Sequence, residues 1–401
     1  MSLANGRHYL AIPGPSVMPD RVLQAMHRPA PNIYTGELVE MVHGLIPDLK
    51  AVGRAQKANV AIYIANGHGV WEAALCNTLS RGDKILVLGT GRFCLGWGEF
   101  AAGLGIDCEI IDFGPQSDID MTRVAEALAA DKAHEIKAVL AVQVDTSSSV
   151  RNDILALRQT LDAAGHPALL FSDNIACLAC DAFEFDAWGV DVMVTGSQKG
   201  LMTPPGIGFV YFSEKADQAR GRANCVTPYW DWRPHVNPTE FYKYFNGTAP
   251  THHLYGLRVA LDMILHEEGL EAVWARHATL ARAVWAALDR WGANGPVAAN
   301  ITDPAKRSHA VTTVDMGTGN GAKMRDWMTA TAGVTLGIPL QGLRRDPARA
   351  VDFFRIGHMG HVNAHMVLGL LGSLQAGMKA MQIPHDPTGL EAAIEVIGEA
   401  G

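Results

Sequence analysis

VDVMVTGSQKG, residues 190–200, is the stretch of this chain that decides its fold. Its first half is a short apolar run, typical of a buried strand, and its second half is a glycine-containing turn that carries Lys199. A lysine is a poor nucleophile while it is protonated and solvated, so a rigid turn directly after a buried strand suits a catalytic lysine. The other interpretation of this stretch alone is a surface lysine in a glycine-rich turn.

A second apolar run, Ala168–Ser172, ends directly before an acidic residue, Asp173. Asp173 lies 26 positions before Lys199, which leaves room for one strand, a connection and the next strand. We therefore expect both residues at the ends of strands. An acid that can pair with a pyridinium nitrogen, together with a lysine that can form a Schiff base, is the partnership that pyridoxal phosphate requires.

Between residues 60 and 212, short β-branched runs alternate with segments such as Met121–Ala130 and Ile154–Ala164 that are typical of helices. This alternation predicts an α/β fold with about seven strands in a mostly parallel sheet that is covered on both faces. Ligands bind beyond the carboxyl ends of such strands, so we expect the functional residues to meet in one crevice there. The predicted strands are Val60–Ala65, Lys84–Gly89, Cys108–Phe113, Ala138–Val144, Ala168–Asp173, Val190–Thr195 and Gly206–Phe212.

The segment Asn66-Gly67-His68-Gly69 follows the first predicted strand and precedes a predicted helix, Trp71–Leu79. Glycines let a backbone approach an anion closely, and the start of a helix supplies free N–H groups, so the segment suits a single phosphate. We expect His68 to contribute its backbone N–H; an acid–base role for its imidazole is the alternative. The segment Gly89–Cys94 lacks the third glycine of a dinucleotide-binding motif, which argues against a nicotinamide or flavin dehydrogenase.

The composition indicates a compact protein that is long enough for two domains, with 401 residues, 48% hydrophobic residues and a net charge of −8. The negative charge and the lack of a basic stripe argue against a nucleic-acid partner. No apolar run suits a membrane span and no secretion signal opens the chain, so we expect a cytoplasmic protein with no membrane partner. Six scattered cysteines fit a reducing compartment. Cys177 and Cys180 form a lone CxxC pair, which we interpret as buried small residues rather than as a redox or zinc pair.

The carboxyl-terminal part of the chain predicts a second, smaller unit. Two segments with long helical periodicity, Leu254–Glu268 and Leu270–Trp291, carry the chain out of the sheet. Short predicted strands and helices then alternate. We predict a large domain over residues 20–265 and a smaller α+β domain built from residues 1–19 and 266–401.

Four motifs carry a resemblance to a known family, and together they span nearly the whole chain. They are Pro13-Gly14-Pro15, the lysine segment Trp188–Gly200 with Pro204-Pro205-Gly206 after it, Leu254–Arg258, and Phe354–Gly360. On these motifs the chain resembles the class V aminotransferases of pyridoxal-phosphate fold type I, in particular the serine–glyoxylate and alanine–glyoxylate aminotransferases. The segments that depart from the family pattern are Gln143–Ser149, Asn174–Cys177 and Phe245–Thr248, and these departures leave the amino donor open.

The resemblance implies roles for individual residues. Lys199 would carry pyridoxal phosphate as a Schiff base, and Asp173 would pair with its pyridine nitrogen. Arg355, whose planar guanidinium also suits a carboxylate on its own chemistry, would bind the substrate α-carboxylate. The other implied cofactor contacts are Ile175 under the ring, Phe93 over it, Thr146 near the phenolic oxygen, Gly67, His68 and Gln198 on the phosphate, and Thr248 on the phosphate of the neighbouring subunit. The Thr248 contact implies a homodimer with shared active sites.

The implied reaction moves an amino group from a small amino acid, with serine or alanine favoured, to glyoxylate or a similar small oxo acid by a ping-pong mechanism. A pyridoxamine–pyruvate-type or an aspartate–glyoxylate aminotransferase is the closest alternative. Aspartate as the donor needs a second cation for its side-chain carboxylate, for which Arg233, Arg344 or Arg345 is a candidate. A pyridoxal-phosphate lyase or cysteine desulfurase is a more distant one. The aromatic loop Tyr229–Trp232 has no predicted role, and no metal site is predicted.

Overall fold

The computed structural model of the chain describes residues 2–340 and 347–400. Its strands are β1 Tyr9–Ala11, β2 Asn59–Tyr63, β3 Lys84–Gly89, β4 Asp107–Asp112, β5 Ile136–Val142, β6 Leu169–Asp173, β7 Val192–Gly196, β8 Gly208–Phe212, β9 Ala298–Ala299, β10 Val311–Asp315, β11 Val334–Leu336 and β12 Phe353–Gly357. Its α-helices are α1 Asp20–Met26, α2 Glu37–Val52, α3 Gly67–Thr78, α4 Arg92–Gly103, α5 Met121–Ala130, α6 Ile154–Ala163, α7 Glu214–Arg220, α8 Trp232–Val236, α9 Thr251–Leu261, α10 Leu270–Gly292, α11 Asn320–Trp327, α12 Ala364–Ala380 and α13 Gly389–Gly398. Within this part of the chain, no helix has the length and apolarity needed to cross a bilayer.

Seven strands form the central sheet, in the order β2-β8-β7-β6-β5-β3-β4. Strand β8 is antiparallel to both of its neighbours, and the other neighbouring pairs are parallel. Parallel neighbours need crossover connections. Helices α4, α5 and α6 lie in those between β3 and β6, and the connection from β6 to β7 is a series of turns. The prediction of an α/β fold with a seven-stranded, mostly parallel sheet is confirmed.

Alternate residues of the central strands point to opposite faces of the sheet, as the pleat of a strand requires. Leu86 and Leu170 pack on one face with residues of α2, α5, α6 and α9. Val87 and Phe171 pack on the other face with residues of α3 and α4. Burial on both faces explains the continuous apolar runs in the sequence, and it holds the loops beyond the strand ends on a rigid base.

A smaller hydrophobic core lies outside the central sheet. It combines residues of α10 and α12 with strands of a three-stranded antiparallel sheet, β12-β10-β9, and of a parallel pair, β1-β11. Strand β1 thereby joins the amino-terminal segment to the carboxyl-terminal part of the chain. The division of the chain into domains at residues 20 and 265 stays a prediction.

Several helix boundaries differ from the predicted ones. Helix α3 begins at Gly67 rather than Trp71, because the Asn66 side chain caps the helix by accepting the N–H of Gly69. The predicted helix Leu254–Glu268 consists of α9 and a π-helical segment, Asp262–Glu268. Helices α1, α2 and α4 have no counterpart among the predicted elements.

Candidate active site

A cavity of about 340 Å³ lies at the carboxyl ends of the central strands. The residues that line it come from the segments after β2, β3, β5, β6 and β7 and from the amino-terminal segment. Those among them that the sequence analysis singled out are Gly67, His68, Phe93, Thr146, Asp173, Ile175, Gln198 and Lys199. The structure therefore brings the residues of these strand ends into one crevice.

Lys199 lies in the turn after β7 and is 9% exposed. Its Nζ donates a hydrogen bond to the backbone oxygen of Pro13, and Ser16 Oγ donates one to the backbone oxygen of Lys199 at 2.7 Å. Burial, and after it the positive charge of Arg355, lowers the pKa of Lys199 to about 7. A large fraction of the amine is therefore neutral at neutral pH, which is the form that attacks a carbonyl.

Gly14 leaves the space that the Lys199 side chain occupies. A Cβ atom built on Gly14 would lie 2.5 Å from Lys199 Cε and 2.7 Å from Nζ. The φ angle of Gly14 is +93°, which also disfavours any residue with a side chain. The Pro13-Gly14-Pro15 motif thus supplies both an acceptor for the lysine and room for its side chain.

Asp173 ends β6 and is 3% exposed. Its Oδ1 accepts the backbone N–H of Ile175 at 2.7 Å, and its Oδ2 accepts the indole N–H of Trp71 at 2.7 Å. Burial raises the pKa of Asp173 to about 7, and these two hydrogen bonds act in the opposite direction. The carboxylate needs little additional stabilisation to be ionised at neutral pH, and a pyridinium nitrogen beside it supplies such stabilisation.

The start of α3 supplies N–H donors to the cavity. The first N–H groups of a helix have no intrahelical partner, and Asn66 satisfies that of Gly69, so the N–H groups of Gly67 and His68 are available to a ligand. Gln198 Oε1 is buried beside them in the cavity lining and has no hydrogen-bond partner. A Cβ atom on Gly67 would lie 2.6 Å from Ile175 Cδ1, so a side chain here would displace the end of the Ile175 side chain in the cavity lining. The two free N–H groups at the start of the helix suit a phosphate group.

Aromatic rings form much of the cavity wall. Trp71 contacts Phe93 with ring centroids 6.2 Å apart and His68 with centroids 4.7 Å apart. Burial, and after it the charge of Arg92, lowers the pKa of His68, so its ring is neutral at neutral pH. The His68 ring packs as an aromatic side chain, while its backbone N–H lies at the helix start, as the sequence analysis expected.

Asp145 is a site residue that the sequence analysis missed. It is fully buried, and its Oδ2 accepts the N–H groups of Phe93 at 2.8 Å and Cys94 at 3.2 Å, in the first turn of α4. Its Oδ1 accepts the N–H and the hydroxyl of Ser147. The carboxylate thereby fixes Phe93 and the segment that carries Thr146. An aspartate two residues before a serine, directly after a strand, is the turn signal that could have indicated it.

Arg355 lies on β12 and is 7% exposed. Its Nε donates to the backbone oxygen of Ile338 at 2.7 Å, and its Nη1 donates to the backbone oxygen of Thr146 at 3.0 Å. Among the described residues, no carboxylate forms a salt bridge with it. Burial lowers the pKa of Arg355 to about 10, with the charge of Asp145 acting in the opposite direction. A buried guanidinium with unused N–H donors is suited to a carboxylate ligand.

Four other predicted positions lie away from the cavity or outside the described residues. Thr248 lines a separate surface cavity of about 380 Å³. Arg233 is paired with Asp217, with Nε 3.1 Å from Oδ1. Arg344 and Arg345 lie outside the described residues.

The aromatic loop Tyr229–Trp232 packs behind the start of α3. The backbone oxygen of Trp230 accepts the hydroxyl of Tyr63 at 2.9 Å, and the N–H of Trp232 donates to Asn77 Oδ1 at 3.1 Å. A Cβ atom on Gly69 would lie 3.3 Å from Trp230 Cη2. The loop therefore supports the helix that supplies the N–H donors and does not line the cavity.

Cys177 and Cys180 are buried free thiols. They pack in a small cluster with Ala176, Ala310 and Met359. Burial raises the pKa of both thiols. Their surroundings agree with the interpretation as buried small residues.

The sequence and the fold of this chain are similar to those of known proteins. The family model for Aminotransferase class-V matches residues 8–337. The serine–glyoxylate aminotransferase of Methylorubrum extorquens is 36% identical over 381 residues, which are 93% of this chain and 91% of the relative. The L-aspartate–glyoxylate aminotransferase of Paracoccus denitrificans is 34% identical over 390 residues, with 93% and 91% coverage. The crystal structure of the pyridoxamine–pyruvate aminotransferase from Mesorhizobium loti aligns over 100% of both chains with a TM-score of 0.87 and 26% identity.

These matches agree with the fold and with the motifs. The matching region contains the central sheet and every residue named in the cavity lining. The resemblance stated from the sequence and the prediction of a transaminase are both confirmed. The chain belongs to the class V aminotransferase family and is a transaminase.

Proposed function

We propose that this transaminase holds pyridoxal phosphate in the 340 Å³ cavity. The observation that carries the proposal is that a buried lysine and a buried aspartate, Lys199 and Asp173, line one cavity with the free N–H groups at the start of α3. Gln198 Oε1 is a buried acceptor without a partner in the same lining, which points to a missing hydrogen-bond donor from a ligand or a water. When bound, pyridoxal phosphate supplies an electron sink for the carbanion at the substrate α-carbon.

In this proposal, different residues of the cavity bind the phosphate, pair with the pyridine nitrogen and transfer protons. The N–H groups of Gly67 and His68, with Gln198, hold the phosphate. Asp173 keeps the pyridine nitrogen protonated. Lys199 would hold the cofactor, and its amine, when free, would carry a proton to and from the substrate α-carbon. A group that transfers protons works best when its pKa lies near the working pH, and Lys199 meets that condition.

Three hydrophobic and polar residues would orient the ring. Phe93 and Ile175 line the cavity with Thr146, and the proposal places Phe93 over the ring, Ile175 under it and Thr146 near its phenolic oxygen. Asp145 holds Phe93 through its backbone N–H, so the stacking residue has a fixed position.

For the substrate, Arg355 supplies the fixed cation. Its remaining N–H donors would bind the α-carboxylate that every amino acid and oxo acid substrate carries. Arg355 is outside the cavity lining itself, and its Nη1 donates to the backbone oxygen of Thr146, which belongs to that lining. We propose glyoxylate as the acceptor, because the names of both described relatives include it. Serine or alanine is the proposed donor, and serine is the donor in the name of the Methylorubrum relative.

Two other substrate pairs stay candidates. The structural similarity to a pyridoxamine–pyruvate aminotransferase favours that pair as the second candidate. Free pyridoxamine has no phosphate, however, and it would leave the N–H groups at the start of α3 without a partner. Aspartate, the donor named for the Paracoccus relative, needs a second cation, and Arg233 is already paired with Asp217.

The proposal includes a homodimer in the cytoplasm. Thr248 lines a surface cavity with Tyr34 and Tyr242, which are 81% and 51% exposed, so apolar surface surrounds the residue expected to reach the neighbouring active site. The cysteines are free, which agrees with a reducing compartment.

Steady-state kinetics with serine, alanine, aspartate and pyridoxamine as donors, each against glyoxylate and pyruvate, test the proposal. We expect serine or alanine with glyoxylate to give the highest kcat/KM, with parallel double-reciprocal lines. Arg355→Lys should lower kcat/KM about 10- to 100-fold through lost charge-assisted hydrogen bonds, whereas Arg307→Lys, at another buried arginine, should not. Intersecting lines, or activity only with pyridoxamine, would contradict the proposal.

A further inference from the structure

We infer that Trp71 is a positioning residue for the transamination, because its indole N–H holds the Asp173 carboxylate in the ionised form and in one orientation. The inference deepens the proposed function and rests on it, since the carboxylate acts through the pyridine nitrogen of the cofactor. None of the sequence motifs pointed to this tryptophan, whose partner lies 102 positions further along the chain.

The geometry around Asp173 carries the inference. Each carboxylate oxygen accepts one hydrogen bond of 2.7 Å, Oδ1 from the N–H of Ile175 and Oδ2 from Nε1 of Trp71. Two donors on opposite oxygens prevent rotation of the carboxylate about its χ2 angle. A carboxylate has about four lone-pair sites, so both bonds leave room for a third donor such as a pyridinium N–H.

Trp71 is itself held rigidly. It is 2% exposed, and its ring stacks on Trp97 with centroids 6.0 Å apart and an angle of 16° between the rings. Phe93 and Phe100 contact the same ring edge to face. The indole N–H therefore has one available direction, and it points at Asp173.

Helix α3 connects this contact to the other end of the site. Trp71 lies four residues after Gly67, so both lie on the same side of the helix. The element that offers N–H donors to a phosphate also carries the donor that fixes Asp173. A cofactor that binds both groups is thereby held by one rigid helix.

The charges around Asp173 explain why a neutral donor is needed. The titratable groups that act on it or respond to it are Lys199, Asp145, Cys94 and Cys177. Of these, only Lys199 is a cation that favours the carboxylate, and its amine is engaged when it carries the cofactor. Burial and the Asp145 charge favour the neutral acid instead. The N–H groups of Trp71 and Ile175 are then the permanent groups that favour the ionised form.

The test compares Trp71→Phe with Trp97→Phe. Both changes remove an indole from the same aromatic cluster, but only the first removes the donor to Asp173. With pyridoxal phosphate labelled with ¹⁵N in the ring, we expect Trp71→Phe to shift the pyridine nitrogen signal toward the unprotonated form and to lower kcat about tenfold with little change in KM. Trp97→Phe keeps a ring against Trp71 and the donor to Asp173, so it should change both the signal and kcat much less than Trp71→Phe does.

A second measurement needs no cofactor. In the apoprotein with ¹⁵N-labelled indoles, one of the nine tryptophan N–H signals should move with pH as Asp173 titrates. That signal should be absent from Trp71→Phe and insensitive to pH in Asp173→Asn. It decides the question even if Trp71→Phe does not fold.

The possible results distinguish the role of Trp71 from the proposed function of the protein. A protonated pyridine nitrogen and a wild-type kcat in Trp71→Phe, or an indole signal that does not follow Asp173, overturn the inference and make Trp71 a packing residue. A wild-type protein that binds no pyridoxal phosphate overturns the proposed function instead.

Discussion

Lys199 and Asp173 line the same cavity, and burial moves their pKa values in opposite directions, to about 7 in each case. In water these two groups titrate about six pKa units apart. Both groups therefore change protonation state near neutral pH, where the amine of Lys199 can exchange protons with a substrate. Arg355 contributes by lowering the pKa of Lys199 further.

The lowered pKa predicts how the apoprotein captures its cofactor. Because only the neutral amine attacks the aldehyde, the capture rate of pyridoxal phosphate should rise with pH up to about 7 and then level off. Rapid mixing over a pH series, followed by visible absorbance, measures this rate, and Lys199→Ala serves as the blank. A rate that continues to rise toward pH 10 would indicate an ordinary solvated lysine.

The substitutions Gly14→Ala and Gly36→Ala form a matched pair. Both glycines have positive φ angles, +93° and +89°, but a Cβ atom meets Lys199 at Gly14 and nothing within 4 Å at Gly36. Gly14→Ala should therefore destabilise the protein by about 1–3 kcal/mol more than Gly36→Ala, because overpacking adds to backbone strain. Denaturant unfolding measures this difference.

The same two variants show whether the space at Gly14 is needed for cofactor binding or only for stability. Pyridoxal phosphate binding should be lost in Gly14→Ala and retained in Gly36→Ala, since only the first displaces Lys199. Equal cofactor affinity in the two variants would mean that the space at Gly14 does not matter for the lysine.

At the scale of elements, α3 is the part of the fold on which the site depends most. Asn66 caps α3, and Asp120 caps the remote helix α5 in the same manner. Asn66→Ala and Asp120→Ala should each cost about 1 kcal/mol of stability. Only Asn66→Ala should weaken pyridoxal phosphate binding, because it loosens the N–H groups that hold the phosphate. Equilibrium titration with the cofactor would contradict this if both variants bound equally.

The central strands are predictable from the sequence because a strand buried on both faces is a continuous apolar run. The run before Asp173 shows this, as does the run before the Lys199 turn. The start of α4 is less predictable, because the carboxylate that satisfies its first N–H groups belongs to Asp145, 52 positions away from Phe93. The Trp71 contact to Asp173 is hidden for the same reason: the two residues meet only after the sheet has formed.

At the scale of the whole molecule, the proposed homodimer predicts that active sites are shared. A protomer with Lys199→Ala lacks its own lysine but offers an intact Thr248 to its partner. A protomer with Thr248→Ala has the opposite defect. The mixed dimer then has one complete site, so co-expression of the two variants should restore tight pyridoxal phosphate binding to about half of the sites.

Each variant alone serves as the control for that experiment. Sedimentation of the wild-type chain establishes the dimer, and the mixed dimer is purified through two different tags. No recovery in the mixed dimer would mean that Thr248 serves its own subunit, and tight binding by Thr248→Ala alone would mean that it serves no active site.

The visible absorption spectrum of the purified protein with pyridoxal phosphate, recorded before and after L-serine and L-alanine are added separately, tests the central claim most directly. The account predicts a yellow band that depends on Lys199, that one of these amino acids bleaches, and that glyoxylate restores. A colourless protein that stays colourless when pyridoxal phosphate is supplied, or a Lys199→Ala variant with the wild-type band, would contradict the account.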